Sequence, residues 1–502
     1  MKKRSLLLLL TLLVGCGENV SSISSPSSSS TSTSETKLTE TQIYDFNDEL
    51  KQDEFPLFNF KEKTFKEYTG SLTPTDSSLL TFTLSEDKTY YIVSDQEHKL
   101  NVNNLVIPSS YNSLPVQEIA DEGFAYKTWL NSVVIPSSIK KIGAGAFNSS
   151  ALKTVYYDAI EIEELNAKNW VFFKGDAEQS IDIYFGKNVK KIPNRLFFPL
   201  ATNPNETCNV KNIYFSKDCQ VESIGDYAFY KLSNVKEVSL PNSIKSIGKY
   251  AFYESGISEI DLSNIENIGD YAFSFASLEH VKLNNLISLG EGAFSYSKLK
   301  EIDLSNTKLT NITNFAFKKC RYLENILFND RIEGINEESF SYCSSLKQFI
   351  SPKSLKNIGL KAFYNNTSLK DVRLNASNIG NYAFYNACKL EKLYIESDID
   401  DFSLGNYVFV NAGKDSLLQV AFLEGVTKIA DNFMFSNANC EENPCINELI
   451  LPSSLNEVGK GAFFDLTINS IWYLSNNSNY QKVIINEQND VLKDVKFALE
   501  MR

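Results

Sequence analysis

Apolar residues return along most of this chain in two short patterns that follow each other in turn. In the first, apolar and polar positions alternate, as in VKEVSL at residues 235–240, and this predicts a short β-strand. The second is Ile-Gly-x-x-Ala-Phe, as at residues 224–229. Its Gly and Ala indicate a close turn with a short helical or 3₁₀ segment, and its Phe is expected to fill the interior. Each pair of patterns predicts one strand-and-turn unit.

The unit recurs mostly every 21–25 residues, with weaker copies near Phe172 and Phe433. About fifteen units follow one another over residues 96–474. One unit cannot cover its own apolar face, so stacked units share a continuous core. The chain is therefore expected to form an α/β repeat solenoid, with a short parallel strand and a turn or short helix in each unit. The clear copies end at Phe124, Phe147, Phe197, Phe229, Phe252, Phe273, Phe294, Phe317, Phe340, Phe363, Phe384, Phe409 and Phe463.

The repeat resembles that of BspA-type bacterial leucine-rich-repeat surface proteins. The likeness rests on Ile-Gly-x-x-Ala-Phe, on IPSSIKKIG at residues 135–143 and on the lead-in FTLSEDKTYY at residues 82–91. It covers roughly residues 80–474 and weakens over residues 148–197, where the Gly and Ala are lost. The resemblance implies surface exposure and contact with other proteins, including host, matrix or neighbouring-cell proteins. It names no ligand.

Both ends of a solenoid need a cover. Residues 38–95 are expected to form an N-terminal capping region. Residues 475–502 are polar with a weakly amphipathic run, which fits either a C-terminal cap or a free tail.

Residues 1–16 have the layout of a lipoprotein signal peptide. The cationic MKKR precedes an apolar stretch at residues 6–14, and LVGC at residues 13–16 resembles the bacterial lipobox, which makes Cys16 the expected lipidation site. An ordinary signal peptide with a chance Cys is the alternative. Residues 17–37 are rich in Ser and Thr and predict a flexible tether. The expected location is the bacterial cell envelope, lipid-anchored through the N-terminus and exposed at the surface.

Composition narrows the chemistry. The 502 residues carry a net charge of −13, which argues against a nucleic-acid partner. The only histidines, His98 and His280, stand far apart, so imidazole-based catalysis and His-metal clusters lack support. Nucleotide-binding, zinc-protease and nucleophile-elbow motifs are absent from the sequence. We therefore expect no enzyme activity, no cofactor or metal, and no small-molecule substrate.

Four cysteines form two pairs in the longest gaps between repeats, Cys208 with Cys219 and Cys440 with Cys445. An exported protein permits disulfides, so each pair is predicted to staple an inserted loop. Free thiols are the alternative.

Side chains alternate along a strand, so one column of each unit points outward. Tyrosines in that column suit a contact patch, although an aromatic ladder can also serve strand stacking alone. Acidic residues there suit a basic partner or calcium, or simply a solvated charged face. The candidate ligand-binding face comprises Tyr156, Tyr184, Tyr214, Glu237, Glu259, Asp261, Glu301 and Asp303.

These observations predict a cell-surface protein that mediates adhesion or protein binding through its exposed strand face. One alternative is a structural, envelope-organising protein without a dedicated ligand. Another is an enzyme with a site in residues 38–95 or 148–197.

Overall fold

The protein is described from a computed structural model, in which residues 58–165, 170–172, 180–198, 208–396, 403–431, 433 and 446–498 are described. Cys16, the tether at residues 17–37, residues 38–57 of the predicted cap, and the pair Cys440 and Cys445 lie outside these ranges. Among the described residues no helix is long and apolar enough to cross a membrane.

One wall of the solenoid is a stack of parallel strands, here called the long-strand sheet. Ladder hydrogen bonds join its strands continuously from residue 104 to 215 and from 348 to 497, and in two pairs between. Residues 237–240 keep the inward-outward alternation of the pattern without forming a ladder. The strands are Asn104–Val106, Ser132–Ile135, Thr154–Tyr157, Ile181–Phe185, Val210–Phe215, Glu259–Asp261, His280–Lys282, Glu301–Asp303, Asn325–Leu327, Gln348–Ile350, Asp371–Leu374, Lys392–Ile395, Gln419–Phe422, Ile446–Leu451, Ile468–Tyr473 and Lys496–Phe497.

The second wall, the short-strand sheet, is built from the Ile-Gly pattern. Its two-residue strands pair in parallel and in register, as Ile247 does with Ile268, in runs over residues 191–289, 311–404 and 428–485. It begins at Leu114–Ile119, whose last residues pair with the next strand. The strands are Lys141–Ile142, Lys191–Ile192, Ser223–Ile224, Ser246–Ile247, Asn267–Ile268, Ser288–Leu289, Asn311–Ile312, Gly334–Ile335, Asn357–Ile358, Asn378–Ile379, Ser403–Leu404, Lys428–Ile429, Glu457–Val458 and Ile484–Ile485.

The repeat solenoid is confirmed, but it consists mostly of strands rather than the expected α/β mixture. Where a short helix was expected, most units make a turn with left-handed residues four positions apart, as at Tyr227 (φ 56°) and Lys231 (φ 57°). A right-handed helix cannot continue through such residues. Within the described chain the helices are the α-helix Asn477–Tyr480 and two 3₁₀ segments, Ser77–Leu79 and Asp490–Lys493.

The motif Phe residues form one aromatic spine through the core. Neighbouring ring centroids lie between 5.0 Å, for Phe363 and Phe384, and 6.0 Å, for Phe197 and Phe229. The two weaker repeats also belong to it, since Phe172 stacks on Phe147 at 5.5 Å and the Phe433 ring lies 6.0 Å from Phe409. The spine is Phe124, Phe147, Phe172, Phe197, Phe229, Phe252, Phe273, Phe294, Phe317, Phe340, Phe363, Phe384, Phe409 and Phe433.

The motif Gly serves close approach between turns rather than an unusual backbone angle. A Cβ on Gly248 would lie 2.6 Å from the backbone N of Asp226 and 2.7 Å from the carbonyl carbon of Gly225. Glycine therefore lets the backbones of adjacent turns meet.

Both ends of the solenoid are covered within the described ranges. At the N-terminal end, Thr81–Leu84 pairs antiparallel with Tyr91–Ser94, and Phe82 stacks on Tyr111 at 4.0 Å. At the C-terminal end, Lys496–Phe497 extends the long-strand sheet beside the last full strand. Tyr480 packs on this end with its ring 5.7 Å from Phe497. Up to residue 498, the C-terminal segment therefore packs on the last turns of the solenoid.

Candidate ligand-binding face

The outward side of the long-strand sheet, here called the outer face, carries the predicted tyrosine column. Tyr156 pairs in register with Tyr184, and Tyr184 with Tyr214. The rings of Tyr184 and Tyr214 lie 4.9 Å apart. All three are half-buried, and burial raises the pKa of Tyr156 to about 12. Half-burial on an outward side means that something covers these rings.

The cover is a segment of the chain itself, residues 58–70, here called the arm. It runs without regular secondary structure across the outer face, opposite to the order of the strands. Its C-terminal part lies over Tyr156, and Phe58 lies over His280. The backbone N of Lys66 donates to the carbonyl of Phe215 at 3.2 Å. The arm thus occupies the predicted binding face as a peptide ligand would.

Aromatic stacking holds the arm over the tyrosine column. The Tyr68 ring stacks on Tyr156 at 4.9 Å with an interplanar angle of 23°, and meets Tyr184 edge-on at 5.7 Å. The Lys66 ammonium lies 4.6 Å from the ring centroid of Tyr214. A cation over an aromatic face is attracted by the ring quadrupole. Tyr68 therefore binds the column by ring stacking, and Lys66 binds it by a cation–π contact.

Between Lys66 and Tyr68, Glu67 binds the arm to a turn that follows the strand Val210–Phe215. Its Oε1 accepts hydrogen bonds from Ser216 Oγ at 3.0 Å and from the backbone N of Lys217 at 2.8 Å. This bond pair sets the register of the arm along the sheet.

Ion pairs hold the middle of the arm over the acidic residues. Lys61 Nζ lies 3.3 Å from Glu237 Oε2 and 3.6 Å from Glu259 Oε1. These carboxylates, Glu237 foremost, raise the pKa of Lys61 above its usual value. Lys63 donates to Asn242 Oδ1 at 2.9 Å, and burial lowers its pKa against the opposing pull of Asp261.

A cleft of 190 Å³ remains between this part of the arm and the sheet, bordered by Glu237, Glu259 and Asp261. The backbone N of Thr64 crosses beside it and donates to Ser239 Oγ at 3.0 Å. The arm and the sheet therefore do not fill the available space.

The far end of the arm stacks on a histidine. The rings of Phe58 and His280 are 3.7 Å apart and nearly parallel, at 9°. His280 Nδ1 in turn hydrogen-bonds Glu301 Oε1 at 2.5 Å. Asp303, the last predicted residue of the face, accepts from the backbone N of Ser305 at 2.9 Å and lies past the arm.

The structure thus places all the predicted face residues on the outer face and adds the arm, which the sequence reasoning assigned to the cap. A signal for it was present. Half-buried residues recur every two or three positions through FNFKEKTFKEY at residues 58–68, with exposed polar residues between them. This pattern suits an extended segment with one covered side. The half-buried residues are Phe58, Phe60, Lys63, Phe65 and Tyr68.

Past the arm, Ile350 and Arg373 are half-buried on the outer face, whereas Tyr394, Ile450 and Trp472 in the same column are buried. A cleft of 290 Å³ lies between two successive turns and is bordered by Leu327, Phe328, Gln348, Ile350 and Lys353. Its mixed apolar and charged border resembles the covered half of the face in chemistry.

A second aromatic surface, at the turns, was not singled out by the sequence reasoning as a site. Tyr227, Tyr250 and Tyr271 stack face to face at 4.9 and 5.2 Å. Phe275 and Tyr296 continue a neighbouring column at 4.2 Å. Because the rings stack face to face on their neighbours, mainly ring edges remain available to a ligand.

No disulfide joins Cys208 to Cys219, contrary to the sequence prediction. The strand Val210–Phe215 stands between them in the chain and spans roughly 17 Å, whereas bridged Cα atoms lie within about 7 Å. Cys208 Sγ instead donates to the carbonyl of Phe172 at 3.4 Å. Within the described ranges no group of three or more His, Cys, Asp or Glu side chains is arranged to hold a metal ion.

Fold and face together define a leucine-rich-repeat solenoid that offers an extended strand surface. The chain belongs to the family described as BspA type leucine rich repeat region, whose model matches residues 96–204, 200–309, 288–414 and 402–498. This confirms the resemblance inferred from the repeat motifs.

Several solved structures are similar to this chain. A leucine-rich repeat protein from Bacteroides ovatus is 21% identical, with 83% of this chain and 98% of that chain covered and a TM-score of 0.45. The pneumococcal vaccine antigen PcpA is 16% identical, with 85% and 98% covered and a TM-score of 0.35. A leucine rich cell surface protein from Faecalibacterium prausnitzii is 16% identical, with 83% and 99% covered and a TM-score of 0.22. None of the curated proteins matches the chain.

Proposed function

We propose that this is a lipid-anchored protein of the bacterial cell surface that binds other proteins through its outer face. The observation that carries the proposal is the arm. A polypeptide lies extended across the face and is held by ring stacking, ion pairs and hydrogen bonds between Tyr156 and His280. A surface that binds its own chain in this way has the chemistry to bind another protein. Membership of the BspA-type family supports the same interpretation.

Binding is expected to extend over several strands, with a few aromatic anchors contributing most of the free energy. Tyr156, Tyr184 and Tyr214 are the anchors we propose, since a Tyr ring combines a large apolar area with a polar tip. The acidic residues Glu237 and Glu259 would orient a basic partner.

The test is to block the face without altering its packing. Lys282 is exposed on the outer face, and Glu333 is exposed beside the short-strand sheet. The full chain carrying Lys282→Cys or Glu333→Cys is coupled to a polyethylene-glycol maleimide and applied to a panel of immobilised matrix glycoproteins. We expect the Lys282→Cys conjugate to lose binding that the Glu333→Cys conjugate keeps. Equal binding by both conjugates would place the contact elsewhere.

Lipidation at Cys16 is tested separately. Cys16→Ser removes the thiol that the lipid is attached to, so we expect the protein to move from the membrane pellet to the soluble fraction and to lose incorporation of an alkyne-labelled fatty acid. Continued pelleting with unchanged labelling would contradict the anchor.

A further inference from the structure

The arm differs from the rest of the fold in how it is held. Apart from the bond from Lys66 N to Phe215, its contacts with the described solenoid use side chains, and many of these remain exposed. The paired side chains of Lys61 and Glu237 are 74% and 73% exposed. Ion pairs this open to water are weak. Phe65 packs against the hydrophobic core, so the arm combines one apolar anchor with ion pairs that are open to water.

The connection between the arm and the cap allows release. Residues 69–74 are exposed, and their backbone makes no hydrogen bond to any described part of the solenoid. After the arm, hydrogen bonds to the solenoid backbone resume at Thr75. Its N donates to Val106 O at 2.9 Å, and its Oγ1 accepts from Val106 N at 2.9 Å. The arm can thus leave the face while the cap stays in place.

The chemistry of the arm specifies what the face accepts. Lysines at 61, 63 and 66 meet Glu237, Glu259, Asn242 and the tyrosine rings, and an aromatic ring lies at each end, Phe58 and Tyr68. The complement of an acidic surface between two ring-stacking points is an extended chain with spaced cations and aromatic ends.

A second copy of this chain is a poor candidate for that occupant. Its arm has the same sequence as the attached arm, which acts at an effective concentration on the order of millimolar. Backbone strain in the closed form could favour exchange, but no residue from 58 to 75, all of which are described, has a positive φ. A segment of another protein can differ in sequence and bind more tightly.

We infer that the outer face between Tyr156 and Glu301 binds an extended segment of a partner protein that carries spaced cations and flanking aromatic residues, and that this segment takes the place of the arm. The inference rests on the proposed function and specifies its ligand class. The arm then sets a minimum affinity for partners, because only a segment that displaces the arm can bind the outer face.

The test uses the full chain and a labelled synthetic peptide with the sequence of residues 58–70. The protein is compared with an arm-weakened variant, Phe58→Ala with Lys61→Ala and Tyr68→Ala, whose face is unaltered. Since the tethered competitor is weakened, we expect the peptide to bind this variant at least about tenfold more tightly than the parent protein. Fluorescence anisotropy measures both affinities.

Two controls fix the chemistry. A peptide with Lys61→Glu, Lys63→Glu and Lys66→Glu is expected to bind neither protein. Adding Glu237→Lys and Glu259→Lys to the arm-weakened variant is expected to abolish binding of the original peptide, while circular dichroism stays that of the parent. Equal affinity for parent and arm-weakened protein, or equal binding of the charge-reversed peptide, would overturn the inference.

Sedimentation of the arm-weakened variant mixed with the parent protein tests whether a second copy of the chain occupies the face. Monomers are expected throughout. A dimer that the peptide dissociates would show that the occupant is a second copy and overturn the inference. A further outcome is that the peptide binds neither protein while the Lys282→Cys conjugate still loses glycoprotein binding. In that case the inferred ligand class is wrong and the proposed function stands.

Discussion

Single positions in each turn carry requirements that few residues meet. The motif Gly is needed where adjacent turns touch, and two other positions need left-handed backbone. Tyr250 and Tyr271 accept that conformation, with φ of 54° and 53°, and stack on each other at 5.2 Å. A left-handed non-Gly residue costs roughly 1–2 kcal/mol, which such stacking offsets in part.

Replacing the motif Gly tests the close approach. Gly248→Ala places a methyl group against the backbone of Asp226 and Gly225, which can only move apart. We expect the free energy of unfolding to fall by about 2 kcal/mol, the usual cost of overpacking. Chemical denaturation measures it, with the exposed Lys245→Ala in the same turn as a control expected to change little. A Gly248→Ala protein as stable as its parent would mean that the turns separate without cost.

At the scale of elements, the solenoid is two stacks of very short strands joined by the aromatic spine. A two-residue strand such as Ser246–Ile247 makes few hydrogen bonds of its own. Its stability depends on the neighbouring strands and on the buried rings beneath, so the spine is the element that fixes the stack.

Two Phe residues of one turn allow the stability contributed by the spine to be compared with that contributed by ring stacking at the surface. Phe273 is fully buried, whereas Phe275 is 46% exposed and stacks on Tyr296. We expect Phe273→Ala to lower the free energy of unfolding by about 3–5 kcal/mol and Phe275→Ala by about 1 kcal/mol. Parallel guanidinium titrations compare them. Similar losses for both variants would deny the spine its dominant role.

At the scale of the whole molecule, many buried thiols and phenols favour the protonated form. Burial raises the pKa of Cys320, Tyr271, Tyr394 and Tyr480 to about 12. In the unfolded chain these groups ionise near their ordinary values of about 8.5 for Cys and about 10 for Tyr. Because the folded state then binds more protons, its stability declines as the pH rises through this window.

This predicts alkaline destabilisation. Stability is expected to be level up to about pH 8 and to fall above it, by up to about 1.4 kcal/mol per pH unit for each group involved. Denaturation midpoints measured between about pH 8 and about pH 11 give the slope. Cys320→Ala removes one such group and should make the first part of the decline shallower. A midpoint that rises with pH would reverse the sign of the argument.

The sequence predicted the features that repeat. The spacing of Phe residues predicted the solenoid and its Phe-filled interior, and alternation placed Tyr156, Tyr184 and Tyr214 in one column. It did not predict the short-strand sheet, because a two-residue strand has no periodicity and exists only through its neighbours. Nor did it predict the arm, whose contact between Lys61 and Glu237 joins residues 176 positions apart. Such contacts follow from the assembled surface and leave little local trace.

The direction of the arm has a consequence for the order in which the molecule is completed during synthesis. The N-terminal end of the arm, at Phe58, meets His280, which is made more than two hundred residues later. A nascent chain grows from its N-terminus, so the first turns of the solenoid stack while this end of the arm has nothing to dock on. The N-terminal end of the arm therefore stays undocked in the young chain, and full closure of the arm requires the turn that contains His280.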